Sequence, residues 1–344
     1  MTVQELVYKY DPQNQFKVLI DTHTQIDYAW NNPINIGIIK KENISSVIVT
    51  GLGGSAMSGD LLQNFCAGEI TLPYSVNRNY FLPKFADENT LIIVSSYSGN
   101  TEETISALNQ AIEKKCQIIC ISTGGKISQT AKEKNIPIVV IPKGLQPRYA
   151  LGLSFFSLLK IFQTLELIPD QSNYVEEIRE LWKLNGEIFS TENNPAYSYA
   201  EKIIGYSPII YSAADVTSAV GYRFKCQFNE NSKLHAFHNV IPELNHNEII
   251  GWESFDGNKL QTILITIFDE TYLPQIKRRF EITSELAAKS GIEVMNLSSN
   301  KHKLKVRLMD LIYLTDWITY YTAVLRAFDP TEINNINTLK ERLA

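Results

Sequence analysis

Cysteine is scarce in this chain, with Cys66, Cys116, Cys120 and Cys226 the only four in 344 residues, and none are in C-x-x-C spacing. Such usage fits a reducing compartment with four unpaired thiols, which read as small buried apolar residues. Positive charge is not in excess either. Lys and Arg number 32 against 37 Asp and Glu, and a net charge of -5 leaves no surplus of cations to displace counterions from a phosphate backbone. No nucleic-acid partner is expected. Uninterrupted apolar runs are also missing. The most apolar windows, residues 149–168 and 308–325, are broken by Lys160, Gln163 and Glu166 and by Asp310 and Asp316, so both read as buried helices and no membrane association is expected. Residues 1–10 carry Glu5 and Lys9 and contain no apolar core of signal-peptide length. The expected location is cytoplasmic.

What is present is the composition of a soluble globular protein, 44% hydrophobic and 20% charged, in a chain longer than one hydrophobic core usually supports. Residues 47–50, 74–76, 91–95, 117–122 and 136–141 are short β-branched runs, separated by amphipathic stretches such as 102–115. Several runs are apolar throughout. That alternation predicts an α/β fold whose mainly parallel sheet is covered by helices on both faces, with ligands beyond the carboxyl ends of the strands. Pro142-Lys-Gly-Leu-Gln-Pro147 interrupts the pattern and marks the expected crossover between domains 1–150 and 151–344. A helical region follows to about residue 190. Strand candidates return at 209–212, 262–268 and 293–297, with helical stretches at 272–290 and 304–328.

Two turns rich in glycine and serine follow β-branched runs and open helical patterns: Gly51-Leu-Gly-Gly-Ser-Ala-Met-Ser-Gly59 and Ser95-Ser-Tyr-Ser-Gly-Asn-Thr101. At the second, the amides of a helix start and the hydroxyls of Ser96, Ser98 and Thr101 form a donor-rich cradle that suits a phosphate dianion. Asn100 and Glu103 have capping-box spacing. At the first, Gly53 and Gly54 let the backbone approach a ligand and Ser55 adds a hydroxyl. Alone it also resembles a dinucleotide fingerprint, but the second strand ends in Asn77-Arg78-Asn79, without the acidic residue that binds a ribose. A tight connection without a ligand is the plain alternative for either turn.

The segments Phe228-Asn-Glu-Asn-Ser-Lys233 and Pro242-Glu-Leu-Asn-His-Asn-Glu248 place a carboxylate, Glu230, and an imidazole, His246, among amides where helical and strand periodicity are both weak. They read as a proton-transfer pair. His235 and His238, near Glu243 and His246, raise the question of a metal; Pro242 prevents one helix from carrying all four groups, and no metal or other cofactor is expected.

Five motifs in order, Gly51 to Asp60, Ser96 to Thr104, Pro147-Arg-Tyr-Ala-Leu-Gly152, Asn229 to Lys233 and Pro242 to Glu248, resemble the bifunctional phosphoglucose/phosphomannose isomerase family. The resemblance spans nearly the whole chain. It implies two sugar-isomerase (SIS) domains, each a flavodoxin-like three-layer sandwich, and a sugar phosphate as substrate. Carried onto this sequence, it implies that Ser96, Ser98 and Thr101 hold the phosphate, with Gly54 and Ser55 lining the site. It further implies that Arg148 stabilises an enediolate, Glu230 moves the proton between C1 and C2, and His246 assists ring opening from the neighbouring subunit of a homodimer. Lys340 is the implied C-terminal lysine, and Thr331 the small residue that admits mannose 6-phosphate beside glucose 6-phosphate. Tyr211-Ser-Ala-Ala-Asp-Val-Thr217 departs from the glycine-rich turn the resemblance leads one to expect there.

Two other functions share the domain pair. A non-catalytic sugar-phosphate-sensing regulator would carry an added DNA-binding helix-turn-helix, for which the termini offer neither room nor basic charge, and would not need Glu230 and His246. An isomerase of the glucosamine 6-phosphate type would need a glutaminase partner or an N-terminal nucleophile, which Met1-Thr2-Val3 does not suggest.

Overall fold

The computed structural model describes residues 1–256 and 261–343. The chain forms two compact units, Thr22–Arg179 and a second assembled from Met1–Asp21 with Glu180–Ala344; Ala344, the last residue of the expected second domain, lies outside the described residues. Helices α1 (Val3–Tyr10) and α2 (Gln15–Ile20) open the chain and belong to the second unit.

The first unit runs α3 (His23–Asn31), β1 (Ser46–Thr50), α4 (Gly53–Phe65), β2 (Tyr74–Asn77), β3 (Thr90–Ser96), α5 (Glu102–Glu113), β4 (Gln117–Ser122), α6 (Gly125–Glu133), β5 (Ile138–Val140) and α7 (Leu151–Thr164). Its five strands are all parallel, in the order β2-β1-β3-β4-β5. The central strands β1 and β3 are buried from end to end, as β-branched runs covered on both faces must be. In this winding the strand order reverses between β1 and β3, and ligands bind at that switch point. Both glycine/serine turns lie there.

The units do not divide at 150/151. Helix α7 is buried almost all round and is tied to the first sheet's helices: Ser154 Oγ lies 2.7 Å from Ser58 Oγ, and Gln25 donates to the Tyr149 carbonyl at 2.7 Å and accepts from the Leu153 amide at 3.2 Å. Phe155 packs edge-on against Phe65. An apolar helix of this kind stays with the sheet it covers, so residues 142–147 connect within one unit and the crossover falls in α8 (Ser172–Phe189), which runs across the division at 179/180.

The second unit continues with α9 (Pro195–Ile203), β6 (Ser207–Ala213), α10 (Ser218–Glu230), β7 (Phe237–Ile241), β8 (Thr262–Ile267), α11 (Pro274–Lys289), β9 (Glu293–Leu297), α12 (Leu304–Leu325) and α13 (Asn334–Leu343). Its sheet is parallel too, in the order β7-β6-β8-β9. Helix α12 is buried on every side, with Tyr313, Trp317, Tyr320 and Tyr321 in the core. The N-terminal helices close onto it: Tyr320 donates to Asp11 Oδ2 at 2.9 Å and Tyr313 to the Leu19 carbonyl at 2.6 Å. No described helix is long and apolar enough to cross a membrane.

The α/β architecture with two parallel sheets agrees with the sequence reading, as do the two apolar windows, which form α7 and α12. Strand β7 is not foreshadowed by the sequence, because Phe237-His-Asn-Val-Ile241 sets an exposed aromatic and two polar residues ahead of Val240 and the buried Ile241 and shows no alternation. Its His238 therefore sits on a strand rather than on a helical face with His235. Among the described residues, no three His, Cys, Asp or Glu side chains gather as a metal would need. His238 Nε2 instead lies 2.8 Å from Ser212 Oγ of β6, and a Cβ on Gly221 of α10 would meet the same ring nitrogen at 2.5 Å.

Burial, followed by the nearby positive charge of Lys225, pushes the His238 imidazole down to about 4. In the unfolded chain it takes a proton at about pH 6.5. Between those values the unfolded chain binds the extra proton, so stability rises with pH across this window and falls as acid is added. His238→Gln is expected to flatten that dependence by about one proton, read from urea unfolding between about pH 7 and pH 5. An unchanged slope would remove His238 from the account.

Candidate functional site

At the switch point of the first sheet, Thr101 immediately precedes α5, and its side chain makes no capping bond. The capping box expected from Asn100 and Glu103 is absent for a definite reason. Asn100 Oδ1 accepts the Lys126 amide at 3.0 Å, which fastens the turn to the start of α6, and Thr101 Oγ1 lies 3.0 Å from Ser96 Oγ. The start of α5 thus keeps its amide donors for something other than its own side chains.

The hydroxyls are arranged as acceptors toward the backbone. Ser96 Oγ takes the Gly99 amide at 3.1 Å, Ser98 Oγ the Asn100 amide at 3.2 Å, and Ser55 Oγ the Tyr97 amide at 3.2 Å. A hydroxyl that accepts an N–H still has its own proton to give, although one of the Ser96 and Thr101 protons is spent on the bond between the two. A fully ionised phosphate ester offers acceptors only, so a ring of amide-backed hydroxyls at a helix start matches its chemistry and charge.

Gly99 holds the loop in this shape. Its φ is +69°, and a Cβ there would stand 1.8 Å from the Gly124 carbonyl oxygen; only glycine meets both conditions. Glu102, the acidic residue nearest the cradle, is drawn toward the β2–β3 connection, where its carboxylate accepts the Tyr80 hydroxyl. That bond pushes the Tyr80 phenol up to about 12.

Arg148 belongs to the same unit and is tied to the cradle twice. A Cβ on Gly54 would meet the Pro147 carbonyl at 2.9 Å and lie 3.6 Å from Arg148 Cα, so the first turn packs directly on the short Pro147–Tyr149 turn. Tyr97, inside the second turn, donates its hydroxyl to the Pro142 carbonyl at 3.0 Å and accepts the Leu145 amide at 2.9 Å. Arg148 is 3% exposed. It is a buried cation, not a linker residue on the surface.

The corresponding turns of the second sheet are filled by the chain itself. Thr217, which precedes α10, takes the Ala213 amide at 3.0 Å and bonds to the Tyr272 hydroxyl. Asp269, just after β8, holds the Arg307 guanidinium through bonds of 2.7 and 3.1 Å, with both side chains 1% exposed. Burial opposes the charge on Asp269, but its bonds from Arg307 and Thr271 outweigh this and hold its carboxyl below the usual range. The departure at residues 211–217 has this structural meaning: a side-chain plug replaces an open cradle.

Of the predicted residues, Gly54, Ser55, Ser96, Ser98, Thr101 and Arg148 come together in the first unit. Glu230, His246, Thr331 and Lys340 stand in the second. Glu230 is the last residue of α10, a helix not expected from the sequence. Its neighbours are all pinned: Asn229 to the Leu234 carbonyl (2.8 Å), Asn231 to Thr319 Oγ1 (3.0 Å) and Ser232 to the Thr319 carbonyl (2.7 Å). Lys233 Nζ bonds to the Asn231 carbonyl at 3.1 Å and to that of Asp329, whose Oδ1 in turn accepts the Thr331 amide at 2.7 Å. The Glu230 motif and the Thr331 turn are therefore one junction. His246 is the exposed last residue of a short turn, Glu243–His246, whose Leu244 is buried, and Lys340 lies on α13, none of whose residues is buried. Tyr97 and Tyr80 are the residues that sequence reasoning missed. Tyr97 stands inside a motif whose signal comes from its small residues.

Thr101→Val keeps the shape of the side chain and removes the hydroxyl. Calorimetric titration with inorganic phosphate is expected to show affinity reduced by about tenfold, the ~1.4 kcal/mol of one charged hydrogen bond. Wild-type affinity in the variant would exclude this hydroxyl from the site.

The bacterial phospho-glucose isomerase C-terminal SIS domain matches residues 192–343. The bifunctional phosphoglucose/phosphomannose isomerase of Caldicellulosiruptor bescii is 39% identical over 96% of this chain and 98% of its own, and that of Aquifex aeolicus 33% identical over 86% and 90%. The crystal structure of a hypothetical protein from Thermus thermophilus superposes with a TM-score of 0.72 at 14% identity, covering 99% of this chain and 94% of that one; at that identity the likeness concerns the fold. The five ordered motifs and the near-complete coverage by these relatives agree, and the chain belongs to the bifunctional phosphoglucose/phosphomannose isomerase family.

Proposed function

We propose that the protein is an aldose-ketose isomerase that interconverts glucose 6-phosphate and fructose 6-phosphate and also accepts mannose 6-phosphate. The observation that carries the reading is the amide-backed hydroxyl cradle at the switch point of the first sheet, joined through Tyr97 and Gly54 to a buried arginine. It is supported by the names of the relatives, which are isomerases of these sugars.

In this reading Ser96, Ser98 and Thr101 hold the phosphate, with Gly54 and Ser55 bringing the backbone close. Glu230 takes the proton from one carbon and returns it to the next through a cis-enediol, a task worth about 10² to 10⁴-fold for a well-placed base. The negative charge that develops on the sugar oxygens is met by the Arg148 guanidinium. A fixed donor of this kind contributes roughly 3 kcal/mol because it need not reorganise. His246 moves protons during ring opening, as an imidazole can near neutral pH. Its exposed position on a short turn suits a group that serves the partner of a homodimer. Lys340 assists at the sugar, and Thr331 leaves room for either epimer at C2. The chemistry uses soluble intermediates of sugar metabolism, and the protein acts in the cytoplasm.

A coupled assay offering fructose 6-phosphate is expected to yield both glucose 6-phosphate and mannose 6-phosphate with the wild-type protein, in the presence of a chelator. Glu230→Gln should lower turnover by at least about 10²-fold and leave binding of a non-reactive hexitol 6-phosphate within about twofold. Comparable turnover in the variant would refute the assigned base, and a wild-type protein inert toward all three sugars would refute the isomerase reading itself.

A further inference from the structure

The helix that ends in Glu230 is held by a buried polar clamp whose residues belong to none of the five motifs. Arg223 Nε donates to Asp316 Oδ1 at 2.9 Å and Nη2 to Oδ2 at 2.7 Å, and Gln227 Nε2 donates to Oδ1 at 3.0 Å. The side chains of Arg223 and Asp316 are 3% and 8% exposed. Both oxygens of the Asp316 carboxylate are thus engaged by α10.

We propose that Asp316, through Arg223 and Gln227, is the positioning residue for the proton-transferring carboxylate of Glu230. The inference rests on the reading of Glu230 as the base. Seven residues separate Arg223 from Glu230, about 20° short of two full helical turns, so both lie on one stripe of α10 roughly 10 Å apart along its axis. Gln227 stands between them on the neighbouring row. Beyond Glu230, Asn231 and Ser232 bond to Thr319, whose own Oγ1 returns to the Asp316 carbonyl at 2.9 Å. Two residues one turn apart on α12 therefore grip α10 on either side of Glu230, which removes both sliding along the axis and rotation about it.

The chemistry of the clamp favours position over stability. Withdrawing an arginine and an aspartate from water costs about as much as their attraction returns, so apolar residues of similar volume would hold the helices together equally well. What they would not supply is a bidentate fork with a fixed angle. A base that must reach two adjacent carbons needs that angle, since a displacement of about 1 Å can cost 10²-fold in rate.

The test compares turnover, KM for fructose 6-phosphate and melting temperature in the full-length protein for two variants. In the triple variant Arg223→Met/Gln227→Met/Asp316→Leu apolar side chains fill the same space and no group of the clamp is left unpaired, so the melting temperature is expected to match or exceed the wild type. Its kcat should nevertheless fall by at least about tenfold with KM within about twofold. In Arg223→Lys the charge stays and the fork is lost, and the same split between kcat and KM is expected. Wild-type kcat in either folded variant overturns the proposal, as does a loss confined to KM. If Glu230→Gln remains active, the base assignment fails instead, and a loss of turnover in the clamp variants would then have another origin.

Discussion

The contact between Gly99 and the Gly124 carbonyl is the constraint on which the hydroxyl-lined turn before α5 depends. Two strand-to-helix turns of neighbouring parallel strands come so close that no side chain fits between them, and this proximity sets the angle at which α5 starts. With the turn fixed, Asn100 can fasten to α6, Thr101 can pair with Ser96, and the amides at the helix start are left facing outward. Ser55, Ser96 and Ser98 then each accept a backbone N–H. The cradle is rigid because its second layer is main chain rather than side chain, and a rigid donor set loses little on receiving an anion.

The two sheets show how one winding can be put to two uses. Both are parallel, and in both the order reverses at the first strand of the unit. In the first, small residues keep the switch point open. In the second, Thr217, Tyr272, Asp269 and Arg307 occupy it. Topology offered a binding position twice; the side chains decided which one remained available.

Much of this was legible in the amino-acid order. Parallel strands announced themselves as β-branched runs, the cradle as two glycine/serine turns directly after such runs, and α7 and α12 as apolar windows. What escaped was non-local. Helix α10 and the residue that caps it bury Arg223, Gln227 and Asn231, and polar residues in a core hide the helical period because their partners lie about 90 positions away. Strand β7 was missed because an edge strand with His238 and Asn239 lacks apolar alternation. The domain boundary slipped because a proline- and glycine-bearing segment marks an interruption, whereas the packing of α7 onto Phe65 and Ser58 decides to which body the following residues belong.

The closing of Asp11 and Leu19 onto Tyr320 and Tyr313 spans 309 and 294 positions of sequence. During synthesis the first unit can gather its whole sheet and covering helix from one continuous stretch. Helices α1 and α2, by contrast, must wait until α12 has left the ribosome before they find their seat. Chain closure over such separations is entropically slow, so the nascent protein passes through a stage with one finished lobe and two early helices still unseated. Two helices made before the first sheet are thus seated after it.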